Sequence, residues 1–293
     1  MNTLSQSQIA QFDQQGFLLL PNHLPKVMFE TLINDADRLC DAGYKALKTN
    51  TASKDYVFTL NYFVSFLNRI SNYHLHGGLD SLAILGCPQI LSIAQSLCGA
   101  DFLPSVDMMI VKNKNDDLDL PWHQDLIYAS NKYRIIAIGI YLEEAVAGDG
   151  ALKLVKNSQH QRHDINAMQS TDGQEIIELP VKPGDVLVHN PMLVHWSDRL
   201  VNQKQRRTLY YECRPIAQVV DEENWPSEII QNRLDLMATA QSVYQRLYAD
   251  QPQFKIQLSE PWSDGKMMSD LKSIYQQPIP FSTVNYGHQK KSR

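Results

Sequence analysis

Between Phe102 and Cys213 the apolar and β-branched residues fall into short runs broken by turn signals, and this pattern constrains the fold more than any other feature of the chain. Val106, Met108 and Ile110 alternate with Asp107, Met109 and Val111, and the run Ile135–Ile140 follows. Further strands are predicted at 151–155, 176–181, 185–189 and 208–213, separated by Gly148-Asp149-Gly150, Thr171-Asp172-Gly173 and Pro183-Gly184-Asp185. Many short strands at this spacing predict a barrel or jelly roll.

On either side the period becomes helical. A capping box at Ser5–Gln8 opens a helix carrying Ile9 and Phe12, Gly16 ends it, and Phe17–Leu20 reads as a short strand. Met28, Leu32, Ala36 and Leu39 recur at helical spacing between Pro25 and Gly43, and Pro88–Cys98 repeats that grammar before Gly99. After Pro226 the positions Ile230, Leu234, Met237 and Tyr244 predict another helix. The expectation is one domain over 1–293, mostly helical over 1–100, a β core over 101–215, and a helical cover with a frayed tail over 216–293. The helices at both ends are expected to roof the open mouth of the core.

The 293 residues are ample for a sizeable core. With 27 Lys+Arg against 32 Asp+Glu the formal charge is -5, which offers no electrostatic footprint for nucleic acid. Apolar stretches such as Ile135–Leu142 fall far short of the roughly 20 residues of a membrane span, so no membrane crossing is expected. The N-terminus lacks the basic and apolar regions of a secretory signal. Cys40, Cys87, Cys98 and Cys213 are scattered without a Cys-x-x-Cys pair and read as buried thiols in a reducing compartment, hence a cytoplasmic location. Oligomeric state is left open.

The sharpest chemical signal lies inside the β core, in Trp122-His123-Gln124-Asp125 and a distal His195. A His and an Asp two apart on a strand project to the same side, so His123 and Asp125 reach one metal ion and His195, from a distant strand, completes a face. Two His and one carboxylate with open positions form the facial triad of non-haem Fe(II) oxygenases. The plainer alternative is a surface turn with a hydrogen-bonded His. Downstream, Arg206 and Thr208 share one strand face, and a guanidinium beside a hydroxyl suits capture of a carboxylate, as a dicarboxylate co-substrate demands. Arg207, of opposite parity, reads as a solvated charge. His189 lies on an inward-facing strand six residues before His195 and reads as a packed neighbour of the ligands. Trp122, Tyr128, Trp196 and Tyr210 flank the proposed ligands and are candidate walls of a substrate pocket, or simply core.

The run His123-Gln124-Asp125-Leu126, the segments Leu142–Ala145 and Asp149–Leu152, the turn Pro183–Leu187, and His195-x-Ser197 ending at Arg206 resemble, in that order, the phytanoyl-CoA dioxygenase family over roughly 10–215. The resemblance implies a double-stranded β-helix (jelly-roll, cupin-like) core, mainly β with flanking helices, and a need for Fe(II), 2-oxoglutarate and O2. It makes His123, Asp125 and His195 the iron ligands and Arg206 the clamp on the far carboxylate, with Thr208 as a second contact and Lys112 near the co-substrate. One segment departs: where the family commonly has Pro-Gly-Ser-His, this chain has Asn157-Ser158-Gln159-His160 after Lys156. Asp125 is retained, whereas halogenating relatives replace the carboxylate by Gly or Ala, so hydroxylation-type oxidation is implied.

The sequence therefore predicts a hydroxylase of an aliphatic C–H in a small metabolite or natural-product intermediate, releasing succinate and CO2. A coenzyme A thioester is the less favoured substrate, since the chain is acidic and its nearby basic cluster, Lys153, Lys156 and Arg162, falls in the departing turn. The rivals are a non-catalytic jelly-roll metal-binding or sensor protein, and a zinc hydrolase that would have no use for Arg206 and Thr208.

Overall fold

The computed structural model describes residues 3–116, 120–126, 132–165, 175–255 and 285–286. Tyr128, the 171–173 turn and most of the expected cover beyond residue 255 lie outside the described residues. The chain begins with α1 (Gln6–Gln15), β1 (Phe17–Leu20) and α2 (Lys26–Lys48), then a hairpin of β2 (Tyr56–Asn61) and β3 (Val64–Ser71). Three helices follow, α3 (Tyr73–His76), α4 (Leu79–Ala83) and α5 (Pro88–Cys98). The β-rich centre holds β4 (Phe102–Asn113), β5 (Leu120–Gln124), β6 (Ile136–Tyr141), β7 (Leu152–Val155), β8 (Ile176–Leu179), β9 (Val186–His189), β10 (His195–Ser197) and β11 (Gln205–Pro215). α6 (Ile216–Asp221), α7 (Ser227–Leu247) and the two-residue β12 (Asn285–Tyr286) complete it.

The strands form two sheets, a seven-stranded one in the order β1-β9-β6-β11-β4-β3-β2 and a five-stranded one in the order β12-β5-β10-β7-β8. Strand alternation gives the large sheet two apolar faces. Ile136, Ile138, Val186, Val188, Leu209 and Tyr211 face a layer of helices and share one core with Met28, Leu32, Ile90, Leu236 and Met237. Tyr141 and Leu187 point the other way and pack with Leu152 and Leu154 of the small sheet. Side chains between the sheets are thus placed by parity alone, which is what delivers a site there. The motif turns are braced as well: Asp185 accepts hydrogen bonds from the Lys182 and Asn22 amides, tying the Pro183–Leu187 turn to the end of β1.

Two expectations need correction, and one region gains an element. Among the described residues the long helices do not roof the mouth, because α2, α5 and α7 bury their apolar stripes against the outer face of the large sheet. Within the first hundred residues the β-branched and aromatic run from Tyr56 to Leu67 folds as the β2–β3 hairpin, which was not predicted from the sequence. A longer apolar stretch than Ile135–Leu142 exists, Leu79–Cys98, which by length and composition alone would pass for a membrane span. It is broken by a 3-10 turn at Ile84–Gly86 and most of it is buried within the protein.

At the hairpin tip Tyr62 and Phe63 both adopt left-handed backbone, φ 45° and 67°, and the two residues are 86% and 98% exposed. This is the geometry that Asn-Gly serves without a Cβ penalty, and each L-residue held there costs about 1 kcal/mol. The double substitution Tyr62→Asn, Phe63→Gly is expected to raise stability by about 1–2 kcal/mol, read from the urea midpoint at unchanged slope.

Candidate active site

β5 and β10 pair antiparallel with His123 directly opposite His195, so the two imidazoles are cross-strand neighbours with ring centroids 4.0 Å apart. Asp125 follows two residues after His123, its backbone amide held by the Pro191 carbonyl. Its carboxylate lies 3.4 Å from His123 Nε2 and 3.7 Å from His195 Nε2. One donor atom from each of the three residues falls within 4.8 Å of the other two.

Both imidazoles are oriented from behind. His123 Nδ1 donates to the Pro121 carbonyl at 2.7 Å and His195 Nδ1 to the Leu193 carbonyl at 2.8 Å. A carbonyl only accepts, so the proton sits on Nδ1 and Nε2 presents its lone pair beside the carboxylate. Burial, and then the neighbouring His195, push the His123 pKa well below the ordinary imidazole value, which keeps it a neutral ligand. Two neutral nitrogens and one carboxylate oxygen converging in this way fit a divalent transition metal.

Further along the interior is a second cluster. Arg206 and Thr208 are buried on the inward parity of β11, and Thr208 pairs in register with Tyr141. The Arg206 guanidinium lies over the Tyr141 ring at 5.5 Å and spends Nη1 on the Gly150 carbonyl. Four buried polar atoms here have no hydrogen-bond partner: Arg206 Nε, Thr208 Oγ1, Tyr141 Oη and Ser197 Oγ. Each such group costs about 1–3 kcal/mol when left unmatched. All four can donate, so the group that would satisfy them together is an anion rich in acceptor oxygens, and a carboxylate is the plainest example.

Arg206 is held by the loop before it. Asp149 is buried and accepts from the amides of Val201, Asn202 and Gln203. Burial pushes its pKa up, but those amides outweigh it and hold the carboxyl below the ordinary range. Gly150, at φ 80°, brings its carbonyl to Arg206, and a Cβ there would meet Leu200 at 2.5 Å.

Other expected positions are placed differently. Lys112 is buried and pairs in register with Arg206, on the same inward face of the large sheet, and its ammonium donates to the carbonyls of Ser197 and Asp198, bracing the segment after His195. Trp122 and Trp196 alternate with the two histidines and so lie on the opposite face of the small sheet, packed on each other at a tilt over Val155, Ile165 and Val194. That parity makes them an outer cover and not pocket walls. Tyr210 does face inward, its ring lying over Gly139, where a Cβ would approach Tyr210 Cε1 to 2.9 Å. Arg207 is not a solvated charge: it is buried and ion-paired with Asp37 of α2 and with Glu143.

The departing segment also has a visible job. Ser158 Oγ accepts from the Val194 amide next to His195, and Gln159 reaches the Asp13 and Gln14 carbonyls at the end of α1. Gln124, at the end of β5 between His123 and Asp125, donates to the Gln161 and Met192 carbonyls and accepts from the His163 amide. The segment 158–163 thus backs the ligand strands on the face opposite the metal donors. Tyr141, Ser197 and Gln124 were not singled out from sequence. Ser197 had a signal, since it shares parity with His195; Tyr141 and Gln124 had none beyond lying in strands.

Two sheets enclosing a two-histidine, one-carboxylate face with a buried guanidinium beyond it define the class of non-haem iron oxygenases. Residues 12–208 match the family described as Phytanoyl-CoA dioxygenase (PhyH), and the chain belongs to that family. Peroxisomal phytanoyl-CoA dioxygenase from Bos taurus is 23% identical over 233 residues, 71% of this chain and 68% of the relative. Among solved structures, EvdMO1 is 25% identical with a TM-score of 0.63, and the match covers 72% of this chain and half of that one. EctD from S. alaskensis, solved with 2-oxoglutarate and 5-hydroxyectoine, shares the fold at 17% identity and a TM-score of 0.61, over 74% of this chain and 78% of that one.

Proposed function

We propose that this chain is an Fe(II)- and 2-oxoglutarate-dependent dioxygenase that hydroxylates an aliphatic C–H bond of a free small metabolite or natural-product intermediate, releasing succinate and CO2. The observation that carries this reading is the pairing, in one interior, of a facial triad with four buried, unmatched donors. Neither a structural metal site nor a zinc hydrolase has a use for the second cluster. His123, Asp125 and His195 would hold Fe(II), which when bound supplies the activation of O2. Arg206 would hold the far carboxylate of 2-oxoglutarate, aided by the hydroxyls of Thr208, Tyr141 and Ser197. The Nδ1 hydrogen bonds keep both imidazoles turned toward the ion, and the sheets exclude water from the oxidised carbon. EctD, with 2-oxoglutarate and a hydroxylated small molecule bound, is in keeping with this assignment.

The bovine relative's name suggests an acyl-CoA, and the charges argue against one. Lys153 is ion-paired with Asp198 and close to Glu178, and Lys156 pairs with Glu175 at 2.8 Å. Two of the three basic residues near the site are thereby already neutralised, leaving Arg162 as a poor landing patch for a polyphosphate. The four cysteines are free thiols, which favours the cytoplasm as its compartment.

The test is succinate release with Fe(II) and 2-oxoglutarate across free amino acids, amines and terpenoid or alkaloid scaffolds on one side and branched acyl-CoAs on the other, with product mass followed in parallel. Stimulation by a free compound with a mass gain of one oxygen is expected. Efficient hydroxylation of an acyl-CoA with the free acid inert would overturn the substrate class. Metal binding without succinate release under any of these conditions would leave the sensor reading in its place.

A further inference from the structure

His189 is fully buried, yet both of its ring nitrogens lack a hydrogen-bond partner. The alternation of β9 turns it inward with Leu187, its ring 5.0 Å from that of His195 and 6.3 Å, edge-on, from that of Tyr210. A neutral imidazole carries one N–H and one lone pair, and burying both unmatched is costly. Packing alone would be served at less cost by a leucine or phenylalanine in the same place. The residue therefore reads as one kept for a ligand.

The sheet register says from which side that ligand comes. Thr208 pairs with Tyr141, Tyr210 with Gly139 and Glu212 with Ala137, and Ala137 pairs in turn with His189. His189 thus lies four residues along the sheet from the level of Thr208, about 13 Å at a strand's rise. The Tyr210 ring over Gly139 occupies the level between. A molecule touching His189 enters from the end away from Arg206. The two ends also differ in chemistry: the Arg206 cluster sets a cationic guanidinium beside hydroxyls that can donate and so suits an anion, whereas His189 offers one donor and one acceptor without a fixed charge and suits a neutral hydroxyl or amide.

We propose that His189 is a specificity residue whose imidazole hydrogen-bonds a neutral hydroxyl or amide group of the primary substrate beside His195. This rests on the oxygenase reading above. Three measurements test it. The first needs no substrate: in the metal-free protein His189→Leu and His189→Phe are expected to raise Tm by a few degrees, because an unmatched polar group is removed. A lower Tm in both would mean that the fold itself depends on the imidazole, and would overturn the proposal.

The second is anaerobic binding of 2-oxoglutarate to the Fe(II) protein, followed by absorbance. His189→Leu is expected to leave Kd within twofold of wild type, and a tenfold rise would assign the residue to the co-substrate and overturn the proposal. The third uses the hydroxylated compound that most stimulates wild-type succinate release, beside its deoxy analogue. His189→Leu is expected to lose at least tenfold in kcat/KM on the hydroxylated compound and little on the analogue, with partial recovery in His189→Gln; equal loss on both would overturn it. Absence of 2-oxoglutarate binding in wild type would defeat the oxygenase reading itself, whereas absence of the His189 effects with that binding intact defeats this proposal alone.

Discussion

Asp125→Ala is expected to abolish iron-dependent succinate formation, a loss of more than about 100-fold, while leaving the metal-free protein folded. Even groups that only orient metal ligands cost about 10–100-fold when removed, and Asp125 supplies the single anionic donor between two neutral imidazoles. The fold does not depend on it. The donor atoms lie between the sheets, but the main apolar cluster runs between the large sheet and its helices. Thermal unfolding separates the two consequences. An ion that binds only the native state at 100 times its Kd stabilises it by about 2.7 kcal/mol. Mn(II) should therefore raise the Tm of the wild type and not that of Asp125→Ala. His123→Ala and His195→Ala should behave alike. Full iron-dependent turnover in the Asp125→Ala protein would show that the carboxylate is not a ligand.

How much of this site was legible depends on whether its geometry is local. Arg206 and Thr208 share a face because they lie two apart on β11, and the same spacing pointed to His123 and Asp125, although Asp125 sits in the bend just past the end of β5. The pairing of His123 with His195 joins residues far apart in the sequence; the need for a third ligand suggested it, and the ordered set of family motifs strengthened it. The same parity rule, carried one residue further, would have turned Trp122 and Trp196 away from the site; being beside a ligand in sequence means facing the other way on a strand. Tyr141 escaped notice because its partner is Thr208, a cross-strand neighbour fixed by a register that the sequence does not state. The β2–β3 hairpin was missed for a different reason. Its turn carries Tyr62-Phe63 where Asn-Gly would have announced it.

Arg206→Met and Arg207→Met are expected to fail in opposite ways, and the contrast tests the strand parity directly. Arg206 points between the sheets with its Nε unmatched, and a charged hydrogen bond contributes about 1.5–3 kcal/mol. Its loss should raise the 2-oxoglutarate concentration required by about 10–150-fold, with little change in Tm beyond the lost contact to Gly150. Arg207 points the other way, into the helix layer, where its guanidinium meets Glu143 through two nitrogens and Asp37 through a third. Removing it strands two carboxylates. Breaking a fully buried pair costs about 3–5 kcal/mol, but the Asp37 side chain is 62% exposed and that of Glu143 27%, so solvent recovers part of the loss. Arg207→Met should therefore destabilise by about 1–3 kcal/mol, lowering Tm by several degrees, with the 2-oxoglutarate requirement unchanged in the protein that remains folded. A raised co-substrate requirement in Arg207→Met, together with an unaffected Arg206→Met, would mean that the inward residue of β11 has been assigned one position too early.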